Sequence, residues 1–67
     1  MIMLNGQRSE LCAGETIYAA LLGVGLARDA PGIAVAVNGE VVPRSTWGTF
    51  KLPEGARVEI LTAMQGG

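Results

Sequence analysis

Two Asn-Gly dipeptides, Asn5-Gly6 and Asn38-Gly39, constrain this chain more than any other feature. A two-residue turn that matches the twist of its flanking strands needs positive φ at both central positions, and Asn-Gly accepts that at little cost, so each dipeptide predicts a hairpin. The first hairpin joins the apolar run 1–4 to residues 7–11, with Ile2, Leu4 and Leu11 sharing one side. The second joins residues 33–37 to residues 40–42. Ile33, Val35 and Val37 line one face of its first strand and Ala34 and Ala36 the other, and this unbroken apolarity predicts cover on both faces. Pro43 ends the return strand or sits at a sheet edge.

Between the hairpins, Gly14-Glu15-Thr16 predicts a helix start. Thr16 offers a hydroxyl to an orphan amide as N-cap, and Glu15 places negative charge where the helix dipole favours it. Ile17, Ala20, Leu21 and Val24 follow the spacing of one helical face. Gly23 and Gly25 each offer a left-handed C-terminal cap, which keeps the helix short. Residues 28–32 are a turn-rich connector. Beyond the second hairpin, residues 45–47 predict a helical turn, 49–52 a brief strand, and Pro53-Glu54-Gly55 a turn. The clearest alternation follows, with Val58 and Ile60 inward and Arg57 and Glu59 outward. Leu61 and Ala63 then fall on the outward side. A lone exposed leucine is ordinary; their place beside the C-terminal segment makes Leu61 and Ala63 candidates for a contact surface.

The order hairpin, helix, hairpin, final strand leaves one helix to cover a mixed sheet. The last strand can pair parallel to the first, between the two hairpins, with the helix in the crossover. The expected fold is therefore α+β with the β-grasp, or ubiquitin-like, topology: a mixed sheet of four to five strands on one main helix. Residues 1–63 form the domain and residues 64–67 a flexible tail.

Size and composition narrow the function classes. A hydrophobic fraction of 49% with 16% charged residues fits a folded domain. At 67 residues, the chain buries only about 60% of its unfolded surface, too little to enclose a ligand site of roughly 300–1,000 Å³. A self-contained enzyme is not expected. Net charge is −1 with no basic stripe, against nucleic-acid binding. The longest uncharged stretch, 16–27, is glycine-broken and shorter than the about 20 residues of a membrane span. Residues 1–4 lack the pattern of a signal peptide, and one cysteine forms no internal disulfide. A cytoplasmic location is expected.

Residue chemistry narrows them further. No histidine is present, so imidazole catalysis and histidine metal ligation drop out. Cys12 lacks an activating base and reads as a buried residue ending a strand. Gly23-Val24-Gly25 lacks a third glycine and follows a helix, unlike a nucleotide-binding loop. The 6 carboxylates are scattered. Trp47 reads as a core residue and Arg44 as a solvated charge. What remains is the α-carboxylate of Gly67. Gly66 and Gly67 carry no Cβ, and the tail Met64-Gln65-Gly66-Gly67 reads as a thin mobile arm reaching roughly 13–14 Å when extended. A carboxylate is a poor electrophile and must be activated, for example as an acyl-adenylate. The chain has no ATP-binding motif, so a partner must supply that step.

Val37-Asn38-Gly39-Glu40-Val41-Val42-Pro43-Arg44-Ser45, followed by Trp47, resembles the central hairpin of the ThiS sulfur carriers of thiamin biosynthesis. The stretch from Leu52 to Ile60 resembles their last turn and strand, and the Asn5-Gly6 hairpin and Gly14-Glu15-Thr16-Ile17 also match. One difference is local: Ala56 stands where family members often carry Asp. The resemblance implies that a ThiF-like adenylyltransferase uses ATP to adenylate Gly67. Sulfur from a cysteine desulfurase or other persulfide donor then gives a thiocarboxylate, and a ThiG-like thiazole synthase accepts the sulfur. No cofactor is bound by the carrier itself. In this scheme Gly67 bears the sulfur, Gly66 keeps the approach clear, Gln65 and Met64 set the reach, and Ala63 and Leu61 are docking candidates. The alternatives are a carrier for another product, such as a molybdopterin-synthase small subunit, or a ubiquitin-like protein modifier.

Overall fold

The computed structural model describes residues 1–62. Among them the elements run β1 (Met3–Leu4), β2 (Gln7–Arg8), α1 (Ile17–Gly23), β3 (Ile33–Val37), β4 (Glu40–Val42), a 3-10 turn (Arg44–Thr46) and β5 (Arg57–Thr62). The strands form one five-stranded sheet in the order β2-β1-β5-β3-β4. The last strand in sequence is the middle one in space, parallel to β1 and antiparallel to β3. This is the β-grasp arrangement expected from the sequence.

Both Asn-Gly turns form, with Asn5 at φ 51° and Asn38 at φ 53°. The first hairpin is shorter than the sequence suggests. Ser9 accounts for this: its hydroxyl donates to the Ile2 carbonyl at 2.8 Å and accepts from the Leu11 amide at 3.2 Å. The Ser9 amide still reaches that Ile2 carbonyl at 3.1 Å, but the Leu11 amide is taken by the side chain and is lost to a ladder. Strand β2 ends at Arg8, and the chain leaves the sheet.

Helix α1 starts where expected but without the expected cap. Thr16 takes an extended N-cap conformation and makes no side-chain cap bond; its backbone forms a bridge with Lys51 instead. Beside it, the Leu52 amide donates to the Glu15 carbonyl at 2.8 Å. The expected strand at 49–52 is reduced to that bridge. The Glu15 carboxylate does not reach the helix: it accepts from the Cys12 amide at 2.7 Å, closing the preceding turn. At the other end Gly25, at φ 80°, is the left-handed residue, whereas Gly23 is the last helical one. The Leu26 amide donates to the Leu21 carbonyl at 2.9 Å and the Gly25 amide to that of Leu22 at 3.0 Å, the paired bonding of a Schellman stop.

One face of the sheet packs on α1. Ile17, Ala20 and Leu21 of the helix meet Val35, Val37, Val42, Val58 and Ile60, with Ile2, Trp47, Leu52 and Ala56 completing the buried core. Trp47 satisfies its one polar atom by donating from Nε1 to the Val42 carbonyl at 2.8 Å. Ala56 is fully buried and its carbonyl accepts from Met3 at 2.9 Å, so this position serves packing and the β1–β5 ladder.

Truncating Ile60 in this core leaves a cavity between α1 and the sheet. Ile60→Ala is expected to lower the unfolding free energy by about 2–5 kcal/mol, measured by denaturant titration, a loss that consumes much of the stability of a domain this size.

Candidate functional site

Strand β5 is the element that links the core to the C-terminal residues. Its inward Val58 and Ile60 are buried and its outward Arg57, Glu59 and Leu61 are exposed; the alternation of burial ends there, because Thr62 is exposed too. Leu61 is 63% exposed, a high value for a large apolar side chain on a central strand. Thr62, the last described residue, pairs with Ile33. Ala63, Met64, Gln65, Gly66 and Gly67 lie outside the described residues.

The outer face around Leu61 is apolar over a wider area than the sequence suggested. Leu61 pairs with Ala34 across the β5–β3 ladder, and Ala36 pairs with Val41 across β3–β4. Directly opposed residues on one face of an antiparallel pair lie about 4.5–5.5 Å apart at Cβ, so Leu61, Ala34, Ala36 and Val41 form a continuous oblique row. Val41 is 75% exposed. Unbroken apolarity in β3 predicted cover on both of its faces; Ala34 is in fact exposed and Ala36 only partly buried. Alanine has little surface to hide, so a strand can present it to water at small cost. Glu59, opposite Ala36, sits on the same face, with Arg57 two residues before it.

Two other residues differ from their expected roles. Cys12 is exposed, because β2 stops at Arg8 and the loop carries it out of the sheet. Arg44 is exposed, as a solvated charge would be, but it is also engaged. Its guanidinium lies 4.5 Å from the Trp47 ring centroid and donates to the carbonyls of Arg28 at 2.9 Å and Ala30 at 2.7 Å. It ties the connector after α1 to the corner after β4, where the planar fork can serve two carbonyls at once. Nothing in its sequence neighbourhood distinguishes this role from a surface charge.

Among the described residues no group of three or more Cys, Asp or Glu side chains could hold a metal ion, and no helix is long and apolar enough to cross a membrane. The site therefore consists of an apolar row that crosses the outer sheet face from Val41 through Ala36 and Ala34 to Leu61, near the end of β5, with Glu59 and Arg57 beside it.

A model of the ThiS family matches residues 2–67. The sulfur carrier protein ThiS of Escherichia coli (strain K12) is 29% identical over 66 residues, spanning 98% of this chain and 97% of that protein. The crystal structure of the thiamine biosynthesis protein ThiS from Geobacter metallireducens superposes with a TM-score of 0.73 at 26% identity, covering 98% of this chain and 97% of that one. A solution structure of a thiamine biosynthesis protein from the same organism gives 0.71 at 29% identity, covering 98% and 86% respectively.

Because the outer face carries no core contacts, polar substitution there should leave the fold intact. Leu61→Ser and Val41→Thr are each expected to change unfolding free energy by no more than about 0.5 kcal/mol in denaturant titrations, in contrast to Ile60→Ala.

Proposed function

The chain belongs to the ThiS family, small sulfur carriers of thiamine biosynthesis acted on by other enzymes, and on that premise we propose that its Gly67 carboxylate is converted to a thiocarboxylate that donates sulfur to the thiazole ring. The observation that carries this reading is the position of β5. The middle strand of the sheet runs directly into the segment that closes on Gly66-Gly67, with an exposed apolar face beside it.

The chemistry follows from the carboxylate. A Gly67 oxygen attacks the α-phosphorus of ATP on a ThiF-like adenylyltransferase, and pyrophosphate leaves. The terminal sulfur of a cysteine persulfide, made by a desulfurase or another donor, attacks the acyl carbon and expels AMP. A second thiol cleaves the acyl disulfide, leaving the thiocarboxylate for a ThiG-like thiazole synthase. Two residues without Cβ at the end let the acyl carbon enter a narrow cleft. Met64 and Gln65 set the distance between that carbon and the sheet, while Leu61, with Ala63 following it, gives each partner an apolar surface to hold. All of these steps belong in the cytoplasm, where ATP and free thiols are at hand.

The first test is intact-mass spectrometry after incubation with ATP, a ThiF-like enzyme and a persulfide source. The expected product is heavier by the difference between one sulfur and one oxygen, and chain lacking Gly67 should fold normally yet gain nothing. A wild-type chain that never acquires this mass removes the carrier reading. The docking face is tested separately: Leu61→Asp should weaken adenylyltransferase binding by about 1–2 kcal/mol, as loss of an apolar anchor does, seen by calorimetry with no change in melting temperature.

A further inference from the structure

Asn5 does more than make a turn. The backbone pairing of β1 with β5 ends at Leu4 and Val58, and the Asn5 amide still donates to the Val58 carbonyl at 2.8 Å. At Asn5 the chain turns away with φ 51°, so its own carbonyl cannot provide the next rung. The side chain provides it instead: the Ile60 amide donates to Asn5 Oδ1 at 2.7 Å, in a partly buried bond between residues 55 apart in sequence. The parallel ladder is thereby extended along β5 to within two residues of Thr62. On the opposite side β5 is still held there by β3, through Ala34 and Ile33.

The second turn provides a counterpart at the other end of the strand. Asn38 Oδ1 accepts from the Arg57 amide at 2.9 Å, and the Asn38 amide donates to the Arg57 carbonyl at 2.8 Å. Both turn asparagines therefore bind the backbone of β5, but only Asn5 does so next to the C-terminal segment.

We propose that Asn5 is a positioning residue for the reaction at Gly67: its side-chain oxygen holds the β1-facing edge of β5 at Ile60, next to the last rungs that β3 makes on the other edge. The proposal rests on the carrier reading given above. The residues after Thr62 can span at most about 17 Å, so a fixed base limits where the carboxylate can be. If the Ile60 rung is lost, β5 loosens on the β1 side from Ile60 onward. A partner enzyme must then order more chain before the carboxylate reaches its nucleotide, and ordering backbone is unfavourable. The effect falls on binding, because the activation chemistry is supplied by the enzyme once the carboxylate is in place.

Asn5→Gly isolates this role, since glycine accepts positive φ and removes only the acceptor. In steady-state adenylation with ATP and a ThiF-like enzyme, N5G is expected to raise the KM for the carrier about fivefold, the loss of one hydrogen bond, with kcat unchanged. Asn38→Gly, which removes the equivalent acceptor far from the tail, should keep the wild-type KM, and Asn5→Asp, which retains an oxygen and tolerates the turn, should restore it. Amide exchange at 60–62 should accelerate in N5G and not in N38G. Absence of adenylation in the wild-type chain overturns the carrier reading and this proposal with it. A wild-type chain that is adenylated, with equal KM for N5G and N38G or unaltered exchange at Ile60 in N5G, overturns the positioning role alone.

Discussion

The structure depends on a strand that is the last to be made and the middle one in the sheet. Strand β5 has a neighbour on each side, β1 parallel and β3 antiparallel, and its inward residues Val58 and Ile60 sit in the core against α1. A parallel pairing between sequence-distant strands needs a crossover, and α1 is part of it. The other elements can be understood by their relation to this strand: two hairpins flank it, one helix covers it, and the Asn5 and Asn38 amide oxygens bond to its backbone at 2.7 and 2.9 Å. Unpaired amides in a partly buried strand are costly, so these two side chains complete a ladder that the turns would otherwise cut short.

The two faces of this sheet serve different ends. The inner face carries the large side chains, and the aromatic corner beside it is held by the Trp47 bond to Val42 and by Arg44, which stacks on that ring and reaches back to the connector after α1. The outer face carries small or isolated apolar residues, Ala34, Ala36, Val41 and Leu61, together with the charged Arg57 and Glu59. A domain this small has one helix to spend on cover, and covering one face leaves the other open. For a carrier this asymmetry is useful, since the stable core and the face proposed for docking are built from opposite sides of the same strands.

That division fits the chemistry that the family performs. A chain without histidine and with scattered carboxylates has little with which to catalyse acyl activation. In the proposed reading its contribution is to present a substrate group to enzymes that do. Recognition can then reside in the sheet face and reactivity in the terminal carboxylate, with β5 as the physical connection between them.

The sequence by itself determined the hairpins, the helix and the alternation of β5, because positive φ at Asn-Gly and the apolar spacings are local properties that each segment carries wherever it is placed. It also pointed to Leu61 as outward and to Trp47 as core, since one follows from strand period and the other from size. Only the tertiary structure decided what depends on distant neighbours. Thr16 lost its capping role to a bridge with Lys51, and Cys12 became exposed when Ser9 ended β2 early. Arg44 found two carbonyls 14 and 16 residues away. Ala34 and Ala36 proved to face outward beside Leu61, and Asn5 reached an amide 55 residues along the chain. In each case the deciding partner is remote in sequence, and a side chain's type states what bonds it can make but not which groups the fold will bring within reach.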